Sequence, residues 1–276
     1  MKGLGWRPDL PDFRDYTTTQ QDVAALLKKV NLKKAAPTAV DLRQWCSPVE
    51  DQGQLGSCTA NAAAGIYEYF ERRALGRYTD VSRLFVYKTS RDLMHVKGDT
   101  GSELRTAMGA LVLFGAPPEE YWPYDVSKFD VEPPAFIFAF AQDFKALDYY
   151  RLDPPGTQAP ALLNTIKAQV AAGLPPMFGF TCYASLDGPE ADKGFIPFPG
   201  SHEKIVGGHA IVVVGYDNSV QCKNASKGAL LIRNSWGTSW GQQGYGYLPY
   251  DYVLRGVAQD FWVMVKGAWV DTGVFK

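Results

Sequence analysis

Residues 51–76 read DQGQLGSCTANAAAGIYEYFERRALG. The residue types from Cys58 onward favour a helix, and Gly76 is a suitable C-cap, so we predict a helix that begins just after Ser57. Cys58 is then its first residue, where unpaired backbone N–H groups and the partial positive charge of the helix lower the pKa of a thiol. The two glycines before it allow backbone and ligand to approach closely. The stretch therefore predicts a reactive thiol at a helix N-terminus.

Predicted helices precede predicted strands along the chain. Further helices are expected at about 83–94, 103–114 and 161–172. Apolar, aromatic and β-branched runs then predict five strands, namely Pro176–Tyr183, His209–Tyr216, Ala229–Asn234, Tyr245–Tyr250 and Phe261–Val265. The long connections 125–134 and 187–207 are expected to border a site. This order predicts an α+β fold with a helical lobe and a mostly β lobe.

Residues 1–38 differ from the rest. Thr18 and Gln21 form a capping-box pattern, and the apolar positions after them have helical spacing, namely Val23, Leu26, Leu27 and Val30. We expect a short amphipathic helix and then a connector, residues 35–37.

Composition excludes several classes of function. The 276 residues carry a formal net charge of −1, so no nucleic-acid or anionic-membrane partner is expected. No run of about 20 apolar residues predicts a transmembrane helix. The N-terminus lacks the apolar core of a signal peptide, which leaves the cytosol, export by another route, or a leader upstream of this sequence.

The cysteine and histidine counts narrow the candidate chemistry. If Cys58 is a free thiol, the other three cysteines allow at most one disulfide, and their spacing favours no pairing of Cys46, Cys182 and Cys222. No zinc-type spacing occurs, so neither a metal nor a cofactor is expected.

His209 is the strongest candidate for a base. Of the three histidines, it alone opens an apolar strand, which can anchor an imidazole that points into a cleft. His95 and His202 lie in polar surroundings and are expected at the surface. Asn234 ends a later strand, and its amide oxygen can fix the tautomer and ring plane of an imidazole.

Three segments together resemble the papain-like cysteine peptidases. DQGQLGSC resembles the nucleophile segment, with Gln52 six residues before Cys58. GGHAIVVVGYD resembles the histidine strand, and RNSWGTSWGQQGYGYL resembles the asparagine segment. The order Cys, His, Asn is that of the family, and the resemblance covers about residue 38 to the C-terminus. The opening RPDLPDFRDY resembles the bacterial branch.

The resemblance implies a two-lobed α+β fold with the active-site cleft between a left lobe, mainly 40–140, and a right lobe, mainly 141–276. It implies catalysis by Cys58, His209 and Asn234, with the Gln52 side chain and the Cys58 N–H as the oxyanion hole. It also implies residues that contact the substrate, namely Gly56, Gly101 and Ala210 in the cleft and Trp236 and Trp240 near the leaving group.

Three positions depart from the family pattern. Thr59 stands where a tryptophan is usual, Leu55 replaces a cysteine so that a family disulfide cannot form, and Gly208 replaces the Asn or Asp that often precedes the histidine. None of the three carries a proton in the expected mechanism.

We therefore expect a monomeric cysteine endopeptidase that acts through an acyl-enzyme on peptide or protein substrates and that protein inhibitors of cysteine peptidases could bind. Residues 1–37 are interpreted as a propeptide-like arm that restrains access to the cleft of a 38–276 peptidase domain, or as a simple surface arm. The alternatives are an acyl-transfer enzyme such as a transglutaminase or amidase, and a non-enzymatic peptide-binding module.

Overall fold

The computed structural model describes residues 2–29, 37–267 and 270–271. Its α-helices in that part of the chain are α1 (Gln21–Lys29), α2 (Cys58–Leu75), α3 (Arg83–Leu93), α4 (Leu104–Leu113), α5 (Ala135–Ala141), α6 (Ala159–Ala171), α7 (Pro189–Asp192) and α8 (Asp251–Leu254). Its strands are β1 (Trp6–Arg7), β2 (Ala39–Asp41), β3 (Ser102–Glu103), β4 (Ala146–Arg151), β5 (Met177–Tyr183), β6 (Ile205–Gln221), β7 (Lys227–Arg233), β8 (Tyr245–Pro249), β9 (Ala258–Gly267) and β10 (Val270–Asp271).

The helix α2 begins at Cys58 and ends at Leu75, with Gly76 as a left-handed C-cap at φ 70°. Glycine adopts this conformation without a Cβ clash, which explains why the helix ends there. Nearly the whole length of α2 is buried, from Cys58 to Glu71. The helix therefore holds Cys58 on a rigid element inside the molecule.

Most strands form one antiparallel sheet in the order β10-β9-β5-β6-β7-β8, with β2 also paired to β6 and β4 to β9. His209 pairs with Phe180 of β5, and Val212 pairs with Arg233 of β7. This register carries His209 and the residue after Arg233, Asn234, to neighbouring positions at one end of the sheet. Helices early in the chain and this sheet later in it confirm the predicted α+β class.

Several helices and strands are longer than predicted or were not predicted. The strand β6 begins at Ile205, inside the predicted 187–207 connection, and continues to Gln221. The short helix α7 also lies in that connection. The sequence reading missed β4 and α5, although α5 buries Ile137 against Phe85. Residues of the 125–134 connection bind α3, where Asp130 accepts from Arg91 at 2.6 Å.

The predicted capping box at Thr18 and Gln21 is wrong. Helix α1 begins at Gln21, so Gln21 occupies the first helical position and cannot reach back as a third-position residue does. Gln20 instead accepts a hydrogen bond from the Thr17 hydroxyl at 2.9 Å. The predicted stripe residue Val30 and the connector residues 35–36 lie outside the described residues.

The arm tip, which we define as residues 2–9, runs along the N-terminus of α2. Its strand β1 pairs in parallel with β3, with Trp6 opposite Ser102. Backbone hydrogen bonds also join the Gly3 N–H to the Gly53 carbonyl and the Ser102 N–H to the Gly5 carbonyl, at 3.0 and 2.9 Å. The arm tip is thus fixed to the body of the protein through its main chain.

Candidate active site

Cys58 is fully buried at the first position of α2. The preceding residue, Ser57, is the N-cap but makes no side-chain cap; its hydroxyl lies 2.5 Å from the Tyr124 hydroxyl. Backbone N–H groups of Gly5 and Ala210 face the sulfur. Ala210 follows His209 in β6, so both the sheet and the arm tip place backbone next to the thiol.

Gln52 is buried beside this thiol and held at both ends of its amide. The side-chain oxygen of Gln52 accepts from the Ser235 hydroxyl at 2.5 Å. The backbone N–H of Gln52 donates to the Ser235 carbonyl at 2.9 Å. Its amide nitrogen donates to the carbonyls of Leu55 at 2.8 Å and Gly3 at 3.1 Å. The Gln52 amide N–H is therefore held in a fixed orientation and donates to the carbonyl of Gly3, which lies outside the 51–58 segment.

His209 and Asn234 form the expected pair. Nε2 of His209 lies 2.8 Å from Oδ1 of Asn234, which also accepts the Ser235 N–H at 2.8 Å. An oxygen acceptor favours a proton on Nε2 and leaves Nδ1 with a lone pair. Nδ1 is buried and has no hydrogen-bond partner in the described part of the chain, so it is the nitrogen available to exchange a proton.

Two tryptophans cover this pair. The ring of Trp236 stacks on His209 with centroids 4.5 Å apart, and Trp240 meets Trp236 edge-on at 5.6 Å. Both indoles are almost fully buried. They exclude water from the His209–Asn234 hydrogen bond, which strengthens it electrostatically.

The predicted cleft residues lie against the arm tip. A Cβ on Gly5 would lie 1.9 Å from the carbonyl oxygen of Gly56, and a Cβ on Gly101 would lie 2.1 Å from that of Gly5. Gly101 also has φ +70°, a left-handed conformation that favours glycine. The three backbones pass each other without side chains between them, which only glycine permits.

The protonation of the thiol differs from the sequence prediction. Burial raises the pKa of Cys58 to about 11, although the surrounding N–H groups act in the opposite direction. Burial lowers the pKa of His209 to about 4, together with the nearby charge of Lys2 and against the effect of the hydrogen bond that the imidazole donates to Asn234. With the arm tip in place, the thiol and the imidazole are therefore both neutral.

The sequence analysis missed the residues of the arm tip. Besides Gly3 and Gly5, Trp6 is buried, with its indole in the space that a Cβ on Gly179 or Gly208 would need. Lys2 lies 4.7 Å from the Trp236 ring centroid. The Gly-x-Gly-Trp spacing in MKGLGW was a usable signal, because two glycines before a large aromatic residue suit a close backbone approach.

Two of the positions that depart from the family pattern, Gly208 and Thr59, make specific contacts in the structure. The absence of a side chain at Gly208 leaves room for Trp6. The Thr59 hydroxyl hydrogen-bonds the Ser102 hydroxyl. All four cysteines are free and buried.

No set of three or more His, Cys, Asp or Glu side chains within the described ranges could hold a metal ion. In the same ranges, every helix is too short or too polar to cross a membrane.

Comparisons with known proteins all return peptidases of one family. The family model described as papain family cysteine protease matches residues 36–262. An uncharacterised peptidase C1-like protein of Acanthamoeba polyphaga mimivirus is 33% identical over 95% of this chain and 86% of its own length. Procathepsin L of Mus musculus is 28% identical over 76% of this chain and 59% of its own length.

A solved structure agrees along nearly the whole chain. It is that of xylellain, a cysteine protease from Xylella fastidiosa, with 32% identity and a TM-score of 0.77 over 95% of this chain and 96% of xylellain. The family match covers well over half of the sequence, and the bacterial resemblance predicted from the sequence is confirmed. The chain belongs to the papain family of cysteine proteases and is a papain-like cysteine peptidase.

Proposed function

We propose that this peptidase hydrolyses internal peptide bonds through an acyl-enzyme on Cys58, and that the arm tip restrains access to the cleft. The observation that supports both parts is that Gln52, Cys58 and His209 converge on one place and that Gly3–Gly5 fill it. The 1–37 arm and the 38–276 peptidase domain are the division of the chain that this proposal uses.

The catalytic steps follow once the arm leaves. Nδ1 of His209 takes the proton of the Cys58 thiol, and the thiolate attacks the peptide carbonyl carbon. The Gln52 amide and the Cys58 N–H donate to the resulting oxyanion. His209 then protonates the leaving amine, and water activated by the same imidazole hydrolyses the thioester and releases the acid. Asn234 holds the ring in place throughout.

The arm tip is not itself placed for cleavage. Attack requires one carbonyl to face both the sulfur and the oxyanion donors. Here Gln52 donates to the carbonyl of Gly3, while the sulfur faces the N–H of Gly5, two residues further along. In the described arm tip these two contacts are made by different peptide units, an arrangement that favours the arm as an inhibitor over the arm as a substrate.

Desolvation adds to the restraint. Cys58 and His209 are completely buried while the arm is seated, and burial disfavours a thiolate–imidazolium pair. Departure of the arm returns water to the site and allows the proton to move from sulfur to Nδ1. The arm therefore blocks the substrate and also holds the nucleophile in its unreactive form.

The test uses fluorogenic dipeptide amides and three full-length proteins under reducing conditions. Wild type should show low turnover, Gly5→Val should show higher turnover because its side chain cannot fit against Gly56, and Gly5→Val with Cys58→Ala should show none. Turnover that survives the loss of Cys58 would refute the acyl-enzyme. Equal kcat/KM in wild type and Gly5→Val would refute the restraint. Preference for an added amine over water as acceptor would favour an acyl transferase.

A further inference from the structure

At the end of the arm tip, Asp9 lies on a buried carboxylate of the body. The Asp9 N–H donates to Oδ2 of Asp260 at 2.9 Å, and the Trp6 indole donates to the same oxygen at 3.2 Å. The Asp9 carboxyl accepts from the Trp262 indole at 2.7 Å and from the Arg105 N–H at 3.2 Å. One end of the arm is thus anchored by contacts between two acidic residues.

The charges around Asp9 do not balance. The titratable and charged groups around the Asp9–Asp260 contact come from five parts of the chain, namely the arm (Arg7, Asp15), β3 (Glu103), α4 (Arg105), β4 and the residues after it (Tyr149, Arg151, Asp153) and β9 (Asp260). The ion-paired centre holds four carboxyl groups, Asp9, Asp15, Asp153 and Asp260, against two guanidinium groups, Arg105 and Arg151.

Arg151 binds Asp260 at 2.6 Å and Asp153 at 3.1 Å, and Arg105 binds Asp15 at 2.7 Å. Both guanidinium groups are therefore already paired with other carboxylates, and Asp9 adds a further negative charge. Asp9 and Asp260 are 8% and 1% exposed, so water screens this charge poorly. Burial, then the charge of Asp260, raises the pKa of Asp9 to about 7 from an ordinary 3.8.

We propose that seating of the arm takes up a proton at the Asp9–Asp260 contact, so that the arm closes the cleft in acid and releases it as the pH rises toward neutral. The inference rests on the proposed restraint and names how that restraint is controlled. The proton offsets the repulsion between Asp9 and Asp260, two carboxylates that the seated arm brings together out of water.

The sign follows from proton linkage. In the free arm Asp9 is exposed to water and titrates near its ordinary pKa of 3.8, whereas in the seated arm its pKa is about 7. Below pH 3.8 Asp9 is protonated in both the free and the seated arm, and above about pH 7 it is ionised in both. Between them the seating equilibrium weakens by about tenfold per pH unit as the pH rises.

The protonation of His209 and Cys58 also changes when the arm seats. At the active site, seating of the arm moves a proton from the His209 imidazolium back to the Cys58 thiolate. That transfer leaves the number of bound protons unchanged and adds no pH dependence.

The experiment measures a ratio at each pH from about 4.5 to 7.5. It is kcat/KM of the full-length protein divided by that of its Gly5→Val version, which removes the pH dependence of the chemistry itself. For wild type we expect the ratio to rise at least about tenfold across this range. Asp9→Asn mimics the protonated carboxyl, so its ratio should stay low and flat. Asp12→Asn, which changes an arm carboxyl bound to Arg14, should follow wild type.

A second variant and a mass check keep the result interpretable. Asp260→Asn removes the same charge from the body and should also flatten the ratio against its own Gly5→Val version. Intact mass confirms that the arm is still attached. A wild-type ratio of one at every pH would refute the restraint itself. A low ratio that stays constant, or an Asp9→Asn profile that rises as steeply as wild type, would leave the restraint standing and overturn the proton linkage.

Discussion

Under the proposed restraint, Trp6→Ala should raise the activity of the peptidase. The Trp6 side chain is only 6% exposed, lies against Gly179 and Gly208, and donates to Asp260 at 3.2 Å. Trp6 belongs to the arm, so these contacts exist only while the arm is seated. The substitution therefore acts on the seating equilibrium and leaves the catalytic residues untouched.

The size of the effect follows from the burial. Truncation of a buried tryptophan to alanine costs about 3–5 kcal/mol. At about 1.4 kcal/mol per tenfold change, this weakens seating of the arm by roughly 10²–10⁴-fold. We expect the gain in activity not to exceed that of Gly5→Val, whose side chain would clash with Gly56 and prevent seating.

Steady-state kinetics on a dipeptide amide distinguishes the mechanism of the gain. An arm that competes with substrate lowers the fraction of competent enzyme, so its release should lower KM and leave kcat nearly unchanged. Phe13→Ala is the matched control, because this arm aromatic residue is 96% exposed and its loss should change neither constant. A folded Trp6→Ala enzyme with the KM of wild type would refute the reasoning.

Three further predictions concern the body of the protein. In the Gly5→Val background, Gln52→Ala should lower kcat by about 10²–10³-fold through the loss of an oxyanion donor, with a small change in KM; a loss confined to KM would contradict that role. Asn234→Ala should lower kcat by freeing the His209 ring, and it should shift the acid limb of the pH–rate profile; an unchanged profile would contradict the orienting role. Burial raises the pKa of Glu68 to about 7 from an ordinary 4.5, so its stabilisation is full below about 4.5 and is lost as the pH rises through 7. Thermal unfolding of Glu68→Gln should therefore depend less on pH between these values than that of wild type, and equal slopes would disprove this.

The catalytic candidates could be found from the sequence because each depends on short-range signals. A cysteine after Gly-Ser at a helix start, a histidine that opens an apolar strand, and an asparagine that ends another are all local patterns. The antiparallel register of β6 and β7 then brings His209 and Asn234 within 2.8 Å. The fold class followed from the order of helices and strands for the same reason.

The path of the arm tip could not be found in this way. Its position depends on contacts between residues far apart in sequence, such as Gly5 with Gly56 and Gly101, and Asp9 with Asp260. The predicted low pKa of Cys58 failed for the same reason. The helix N-terminus favours the thiolate, but the arm tip helps to bury the sulfur, and desolvation outweighs the helix.

The errors in the predicted starts of α1 and β6 have local causes. The capping-box pattern favoured Thr18, but the helix begins at Gln21, so Gln20 precedes it and none of the three adjacent threonines is its N-cap. The start of β6 at Ile205 was hidden by the glycines that follow it, which usually mark loops. These glycines lie in the strand because Leu4 and Trp6 of the arm pack where their side chains would be.

The most direct test of the central claim is the site of labelling by a thiol-directed epoxide, mapped by peptide mass spectrometry. In full-length Gly5→Val we predict one adduct, on Cys58, that forms much faster than in wild type and is nearly abolished by His209→Ala in the same background. The buried Cys46, Cys182 and Cys222 serve as internal controls and should stay unmodified. Labelling spread evenly over the four cysteines, or labelling of Cys58 that does not depend on His209, would contradict an active site built on this pair.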